Sequence, residues 1–297
     1  MNIGLVGLDT SHCVVFTELL NDAGHEYHVP GGRVIAAYPG GSAAFSLSRN
    51  RVAGYTDELS RRFGVPMCDS LEQLASQVDA IMLESADGRQ HLEQFRQLAV
   101  GKPVFIDKPM ATSTADARAI IELARDSATP IMSSSSLRYA AGIAELKAPD
   151  EQVLGCEAFG PAAILVDYPG LFWYGVHSAE VLFTFLGAGC RRVRTISYKD
   201  MDVVIGEWAD GRLGVMRGTR FGKYDFGCVL HTNAANRMGL ALGRPPSYHP
   251  LVQQVIRFFE TGLSPVPVEE TFAVMAFIEA ADKSKALAGA AVDLAVM

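Results

Sequence analysis

Val104-Phe105-Ile106-Asp107-Lys108-Pro109-Met110-Ala111 is a short apolar run that stops abruptly on an acid, a lysine and a proline. In an open α/β sheet, ligands gather outside the carboxyl ends of the strands, so a strand over 103–106 delivers Lys108 to the cleft. Proline fixes its own φ and biases the residue before it away from helical geometry, which sets how the chain leaves the strand. One cationic side chain is therefore expected on a rigid edge.

The same alternation extends outward on both sides. Residues 3–8 read as a buried strand, followed by an amphipathic helix over 11–22 with Val14, Val15 and Leu19 on one side. Arg33–Tyr38 reads as a second strand, stopped by Pro39-Gly40-Gly41. Helices are expected at 57–63 and 70–76, the latter with Ser70 and Gln73 at the spacing of a capping box. Strand three falls at 79–83, a helix at 90–100, a helix at 113–126 capped by Ser113 or Thr114, and strand five at 130–133. Strand–helix alternation of this kind predicts a parallel sheet with helices on both faces.

After Ser133-Ser134-Ser135-Ser136 the rhythm changes. Strand-like pieces at 153–158, 162–166, 193–197, 203–207 and 213–218 surround one helix at 176–186, and helices at 249–261 and 269–286 close the chain. Strands grouped together, with helices on one side, predict a mostly antiparallel sheet covered on one face. The serine run reads either as a linker or as a strand end lining a cleft. Two domains are expected, at 1–136 and 137–297.

Bulk composition narrows the function classes. The chain has 297 residues, 49% of them hydrophobic and 20% charged, enough for two well-buried cores. A formal charge of −7, without a dense Lys/Arg run, argues against non-specific nucleic-acid binding. Cys13, Cys68, Cys156, Cys190 and Cys228 show no paired spacing, as in a reducing compartment. The N-terminus lacks a basic region followed by a long apolar one, and no apolar run reaches membrane-spanning length. A cytoplasmic protein without nucleic-acid or membrane partners is the expectation.

Several strand exits carry candidate chemistry. The first is Gly7-Leu8-Asp9-Thr10-Ser11-His12, where a dinucleotide-binding turn would show G-x-G-x-x-G. Only the first glycine is present, but a helix N-terminus still offers free N–H groups, with hydroxyls from Thr10 and Ser11. The alternative is that Asp9 or Thr10 simply caps the helix. Strand two exits into Gly40-Gly41-Ser42, without the usual ribose-binding acid; this segment either wraps a ribose or 2′-phosphate, with Arg49 or Arg51 as counter-charge, or is an ordinary surface turn. Strand three exits into Glu84-Ser85-Ala86-Asp87-Gly88-Arg89, leading to a helix near His91. These polar groups are cleft candidates, although Asp87 could equally cap the next helix.

In the second half, Pro169-Gly170-Leu171-Phe172-Trp173-Tyr174-Gly175-Val176-His177-Ser178-Ala179-Glu180 sets aromatic side chains before a polar helix start. His177 and Glu180 lie three apart and so share a helical face. Aromatic faces beside polar groups suit a sugar-like ligand, and also suit a domain-interface core. No metal site is expected: His25 and His28 fall in a loop, and His177 with Glu180 offers only two ligands.

Together these motifs resemble the Gfo/Idh/MocA family of sugar oxidoreductases. Residues 101–111, Gly101-Lys102-Pro103 through Asp107-Lys108-Pro109-Met110-Ala111, resemble that family's A-G-K-x-V-x-x-E-K-P-x-A signature, with Asp107 replacing the glutamate. Residues 174–180 are similar to its D-x-G-x-H-x-x-D signature, with Trp173 standing where the first acid would be and Glu180 at the later one. The resemblance implies an N-terminal Rossmann domain, a doubly wound parallel sheet, and a C-terminal α/β domain whose mostly antiparallel open sheet builds a homo-oligomer, dimer or tetramer. It implies hydride exchange between NAD or NADP and a sugar, polyol or cyclitol. Lys108 and His177 would be the catalytic pair. The substrate would be held by Lys108, Arg138, Trp173, Tyr174, His177 and Glu180. The cofactor would be held by Gly7, Asp9, Thr10, Ser11, His12, Gly40, Gly41, Ser42, Glu84, Ser85, Asp87, His91 and Lys108. A non-catalytic sugar- or nucleotide-binding regulatory protein that keeps the fold is the alternative.

Overall fold

Register explains why the strand exits matter. In the computed structural model, which describes every residue except Pro245 and Ser247, Val6 pairs with both Tyr38 and Leu83, Leu83 with Ile106, and Ile106 with Ser133. These are the last residues of β1 (Asn2–Val6), β2 (Arg33–Tyr38), β3 (Ala80–Leu83), β4 (Val104–Ile106) and β5 (Ile131–Ser133). All five strands are parallel, in the order β2-β1-β3-β4-β5. Every residue of β3 and β4 is buried, as expected for apolar strands covered on both faces. The strand order reverses between β1 and β3, so their exits border the crevice where such sheets bind ligands.

The helices α1 (His12–Asn21), α2 (Ser46–Phe63), α3 (Leu71–Gln77), α4 (His91–Leu98) and α5 (Thr114–Asp126) connect these strands. Ser70 caps α3 as its sequence requires: its Oγ accepts from Gln73 N at 3.1 Å, while Gln73 Oε1 accepts from Asp69 N at 2.7 Å. α2 starts at Ser46 rather than 57, and Ser48 and Leu59 are its buried residues, so its first half carries no apolar period.

The chain divides into two units. The first comprises Met1–Ala111, Ala115–Ser134 and Tyr248–Val268, and the second Thr112–Thr114, Ser135–Ser247 and Glu269–Met297. This corrects the single cut expected after residue 136. α7 (Tyr248–Thr261) returns to the first unit, burying Val252, Val255, Ile256 and Phe259. A Cβ on Gly31 would come within 2.7 Å of Ile256, so the glycine lets α7 approach.

In the second unit, β6 (Val153–Pro161), β7 (Cys190–Tyr198), β8 (Met201–Trp208), β9 (Leu213–Thr219), β10 (Gly227–Thr232), β11 (Asn236–Leu240) and β12 (Val292–Asp293) form one sheet. Its order is β11-β10-β6-β9-β8-β7-β12. β6 and β9 pair in parallel and the other neighbours antiparallel. β8 alternates half-buried and buried residues. On the buried side, Phe183 of α6 (Gly175–Leu186) meets Trp208 of β8 and Phe277 of α8 (Val268–Ala286), at ring distances of 5.4 and 5.6 Å. Ile196, Tyr198, Leu213 and Met238 are exposed. The expected strand 153–158 runs on to Pro161, residues 162–166 form no strand, and β10, β11 and β12 lie outside the expected strands. Among the described residues no helix is long and apolar enough to cross a membrane, and all five cysteines are buried and free of disulfides.

Candidate active site

In the first unit the β1 exit is threaded between its neighbours. Gly7 has φ +87°, and a Cβ there would lie 2.4 Å from the Ser85 backbone. Only glycine combines this conformation with so close an approach. Gly7 N donates to Tyr38 O at 3.0 Å, and Leu8 N to Pro39 O at 2.8 Å, so the β1 and β2 exits are bonded together.

Asp9, at the position of the second turn glycine, is fully buried. Its Oδ1 accepts from Ala86 N at 2.9 Å and its Oδ2 from Ser48 Oγ at 2.5 Å. Ser48 Oγ accepts from Ser42 N at 2.7 Å, and Ser42 Oγ donates to Asp87 Oδ2 at 2.6 Å. Asp87 is also held by Arg89 Nε at 2.7 Å. One chain of bonds thus ties the exits of β1, β2 and β3. Burial raises the Asp9 carboxyl above its ordinary range, partly offset by Ser48 and Ala86. Burial works against the Asp87 carboxylate too, but the bonds from Arg89 and Ser42 outweigh it and hold the group low.

These bonds correct several expectations. Asp9 and Asp87 do not cap helices with their side chains, and the segment at Ser42 is an internal bridge rather than a surface turn. Arg49 and Arg51 are exposed, with Arg49 bonded to Ala43 O. His91 is fully buried, with Nδ1 3.1 Å from Met110 O and Nε2 2.8 Å from Ser85 O, joining the β3 and β4 exits from inside.

His12, at the third glycine position, anchors a second cluster. Its Nδ1 lies 2.9 Å from Asp107 Oδ2 and 3.6 Å from Glu84 Oε2, and its Nε2 is 3.0 Å from Tyr248 Oη. Lys108 Nζ stands 3.9 Å from the same Asp107 oxygen. The side chains of His12, Glu84, Asp107 and Lys108 are 8%, 0%, 4% and 12% exposed, so their charges interact in a low dielectric. Although burial opposes its charge, the Asp107 carboxylate holds the His12 imidazole well above its ordinary pKa. His12 and Lys108 together hold Asp107 well below the carboxylate range, against the effect of burial. Glu84 is pushed up to about 7, chiefly by burial and then by Asp107, and neither of its oxygens has a hydrogen-bond partner.

Three metal-ligating types therefore converge, with ligand atoms within 4.8 Å of one another. The 2.9 Å separation of Nδ1 and Oδ2 is a direct charge-assisted contact, and Lys108 adds a second cation beside the same carboxylate. The cluster is an ion quartet, neutral once Glu84 ionises.

A dinucleotide fits this unit at its diphosphate. α1 has no acidic residue in its first turn; Thr10 Oγ1 accepts from its first amide, His12 N, at 3.4 Å, and the Ser11 side chain caps nothing and is exposed at the positive end of the helix, where an anion is favoured. The Asp9 carboxylate, spent on internal bonds, does not face them. Thr10 is half-buried, and Gly40 and Gly41 have φ +61° and +101°. Ser85 is buried.

The second unit carries its own cluster. Ser135 Oγ lies 2.8 Å from His177 Nδ1 and accepts from Leu137 N at 3.2 Å, capping the single 3₁₀ turn Ser136–Tyr139. The buried serine run is a strand end leading into a turn, and the chain passes from the first unit to the second between Ser134 and Ser135, so both readings of the run hold in part. Arg138 donates through Nε to Glu180 and through Nη1 to Glu270, the latter at 2.5 Å. This corrects the expectation that Arg138 reaches substrate: its guanidinium is buried between two carboxylates. Burial raises the Glu180 carboxyl despite the Arg138 charge. His177 is half-buried, with the rings of Tyr174 at 5.6 Å and Phe226 at 5.4 Å, and Trp173 lies 5.8 Å from Tyr174.

Residues 43–134 match the Gfo/Idh/MocA model, described as an oxidoreductase family with an NAD-binding Rossmann fold. In this stretch the chain is similar to the Gfo/Idh/MocA family. The Salmonella typhimurium protein YceM is 30% identical over 104 residues, which are 35% of this chain and 33% of that relative. The chain thus spans about a third of the length of that relative. A probable dehydrogenase from Thermotoga maritima matches with a TM-score of 0.77 at 17% identity, over 99% of this chain and 98% of that one. Myo-inositol dehydrogenase from Lactobacillus casei, solved with NAD(H) and myo-inositol, matches with a TM-score of 0.78 at 14% identity, over 100% and 97% of the two chains. At such identities the likeness is one of fold.

Sequence reasoning singled out Lys108 and His177 as candidates from their strand-exit and helix-start positions. It passed over Asp107 as a mere substitution in the Gfo/Idh/MocA lysine signature, and assigned no role to Tyr248, Ser48, Ser135, Phe226 or Glu270. Ser135 alone had a local signal, the polar run at the end of a buried strand.

Proposed function

We propose that the chain is an NAD(P)-dependent oxidoreductase that moves a hydride between the nicotinamide and a hydroxyl or ketone carbon of a sugar, polyol or cyclitol. The observation that carries this reading is Lys108, at the exit of β4 and itself one member of a buried ion quartet with His12, Glu84 and Asp107, in a domain similar to the Gfo/Idh/MocA Rossmann fold. The α1 amides, Thr10 and Ser11 hold the diphosphate. Lys108 holds the reacting oxygen and stabilises alkoxide charge. His177 takes or returns the hydroxyl proton, a task that suits an imidazole near neutrality. Trp173 and Tyr174 offer aromatic faces to a sugar ring. A homo-oligomer formed through the sheet face bearing Ile196 and Tyr198 belongs to the same reading.

The non-catalytic alternative draws support from the bonds that tie Ser42, Ser48, Asp9 and Asp87 together where an adenosine ribose would be held in other dinucleotide folds. Titration with NADH and NADPH, followed by nicotinamide fluorescence, separates the two. Saturable binding of at least one is expected. Failure of both, together with their oxidised forms in a thermal-shift assay, would sink the redox reading.

A further inference from the structure

We infer that Ser135 is the positioning residue for the His177 imidazole, filling the orienting role for which the histidine motif supplies no acid at Trp173. The inference rests on the reading of His177 as the acid/base, but its geometry is independent of cofactor and substrate.

Ser135 is fully buried, and its Oγ lies 2.8 Å from His177 Nδ1. The serine is held in place by bonds of its own. Its Oγ accepts from Leu137 N at 3.2 Å, and its backbone N–H donates to the Glu180 carboxylate. Arg138, in the same 3₁₀ turn, bonds to Glu180 and Glu270. Glu180 lies one turn beyond His177 on α6, so the helix that carries the imidazole also carries the anchor of the imidazole's partner. The loop His177–Ser135–Glu180 closes on a single rigid element, which fixes a ring orientation better than a partner on a free loop would.

The chemistry of a hydroxyl differs from that of a carboxylate. A carboxylate against Nδ1 would keep a proton on that nitrogen and raise the imidazole pKa. A serine hydroxyl either accepts from Nδ1–H or donates to the bare nitrogen. His177 Nε2 can then act as acceptor in alcohol oxidation or as donor in ketone reduction, with the ring held in one orientation. The groups around this pair are the Tyr174 and Phe226 rings on the imidazole, and Glu180, Arg138 and Glu270 behind the serine.

The test uses the full chain. Ring ¹⁵N signals of His177, assigned by their loss in His177→Gln, are followed across pH in wild type, Ser135→Ala, Ser135→Thr and Ser135→Asp. Ser135→Ala should redistribute the two ring nitrogens between protonated and bare forms, and Ser135→Thr, which keeps the hydroxyl, should restore the wild-type pattern. Ser135→Asp should raise the His177 pKa by about one unit or more. Once a substrate is in hand, Ser135→Ala should lower kcat about 10–100-fold with KM little changed, as loss of an orienting partner does. Unchanged ring signals in both Ser135→Ala and Ser135→Asp would overturn the inference. Should Ser135→Ala not fold, the Ser135→Thr and Ser135→Asp pair decides the matter alone. Full activity in His177→Gln would instead overturn the acid/base reading, while the ring signals of the serine variants continue to report on Ser135.

Discussion

Asp107→Ala is expected to destabilise the protein by about 3–5 kcal/mol, measured by urea denaturation at neutral pH. The carboxylate is the hub of the buried quartet, 2.9 Å from His12 Nδ1 and 3.9 Å from Lys108 Nζ. Its removal leaves the Lys108 ammonium and a desolvated His12 without that counter-charge, in a site where neither side chain is more than 12% exposed. Glu84 remains as a partner, but it is 3.6 Å from His12, farther than the 2.9 Å of the lost Asp107 contact. A loss smaller than about 1 kcal/mol, the usual worth of an exposed pair, would show that the quartet is not the buried unit described.

The pH dependence separates the members. Asp107, held low, contributes stability that is present above its ordinary carboxylate range and lost as pH falls through its folded value. His12, held high, contributes stability that is complete below 6.5 and lost as pH rises through its folded value. Glu84 acts against folding: between 4.5 and about 7 the native state keeps a proton that the unfolded chain has released, so stability falls over that range. Glu84→Gln is therefore expected to flatten the stability profile between pH 5 and 7, and Asp107→Ala to steepen its acid limb less than wild type.

The parallel sheet was legible because its strands are short apolar runs closed by turn residues, and because burial on both faces leaves no other use for them. The first half of α2 was not, since Ser46–Phe63 buries only Ser48 and Leu59 and presents no apolar period to read. β10 and β11 carry Gly227, His231, Asn236 and Gly239 among their few residues, which breaks the apolar alternation by which a strand is read. At the site, position along the chain gave Lys108 and His177, but side-chain direction did not follow from spacing. Asp9 looked like a charge facing a phosphate and is instead turned inward onto Ser48 and Ala86. Tyr248 lies 236 residues from His12, its hydrogen-bond partner, and no local pattern links them. Charge pairing of that range is a product of the fold, and the sequence shows only its separate halves.

Lys108→Ala is expected to lower kcat by about 10²–10³-fold or more, the cost of removing a group that stabilises developing oxyanion charge. Register ends β4 at Ile106, Asp107 N is still bonded to Leu83 O at 2.8 Å, and Lys108 follows in the bend one residue later. Lys108→Arg should not restore the rate, because a planar fork with a longer reach cannot place its charge where a compact ammonium sat. Stability offers the control. Lys108→Ala leaves Asp107 paired with His12 at 2.9 Å, so its folding loss should be clearly smaller than that of Asp107→Ala. A variant that folds like wild type, binds NADH or NADPH as tightly, and turns over a polyol at an undiminished rate would remove Lys108 from the chemistry. If kcat falls while nicotinamide binding and folding hold, the lysine acts on the reacting oxygen, and the quartet behind it is the device that keeps an ammonium and its counter-charges together at the end of a buried strand.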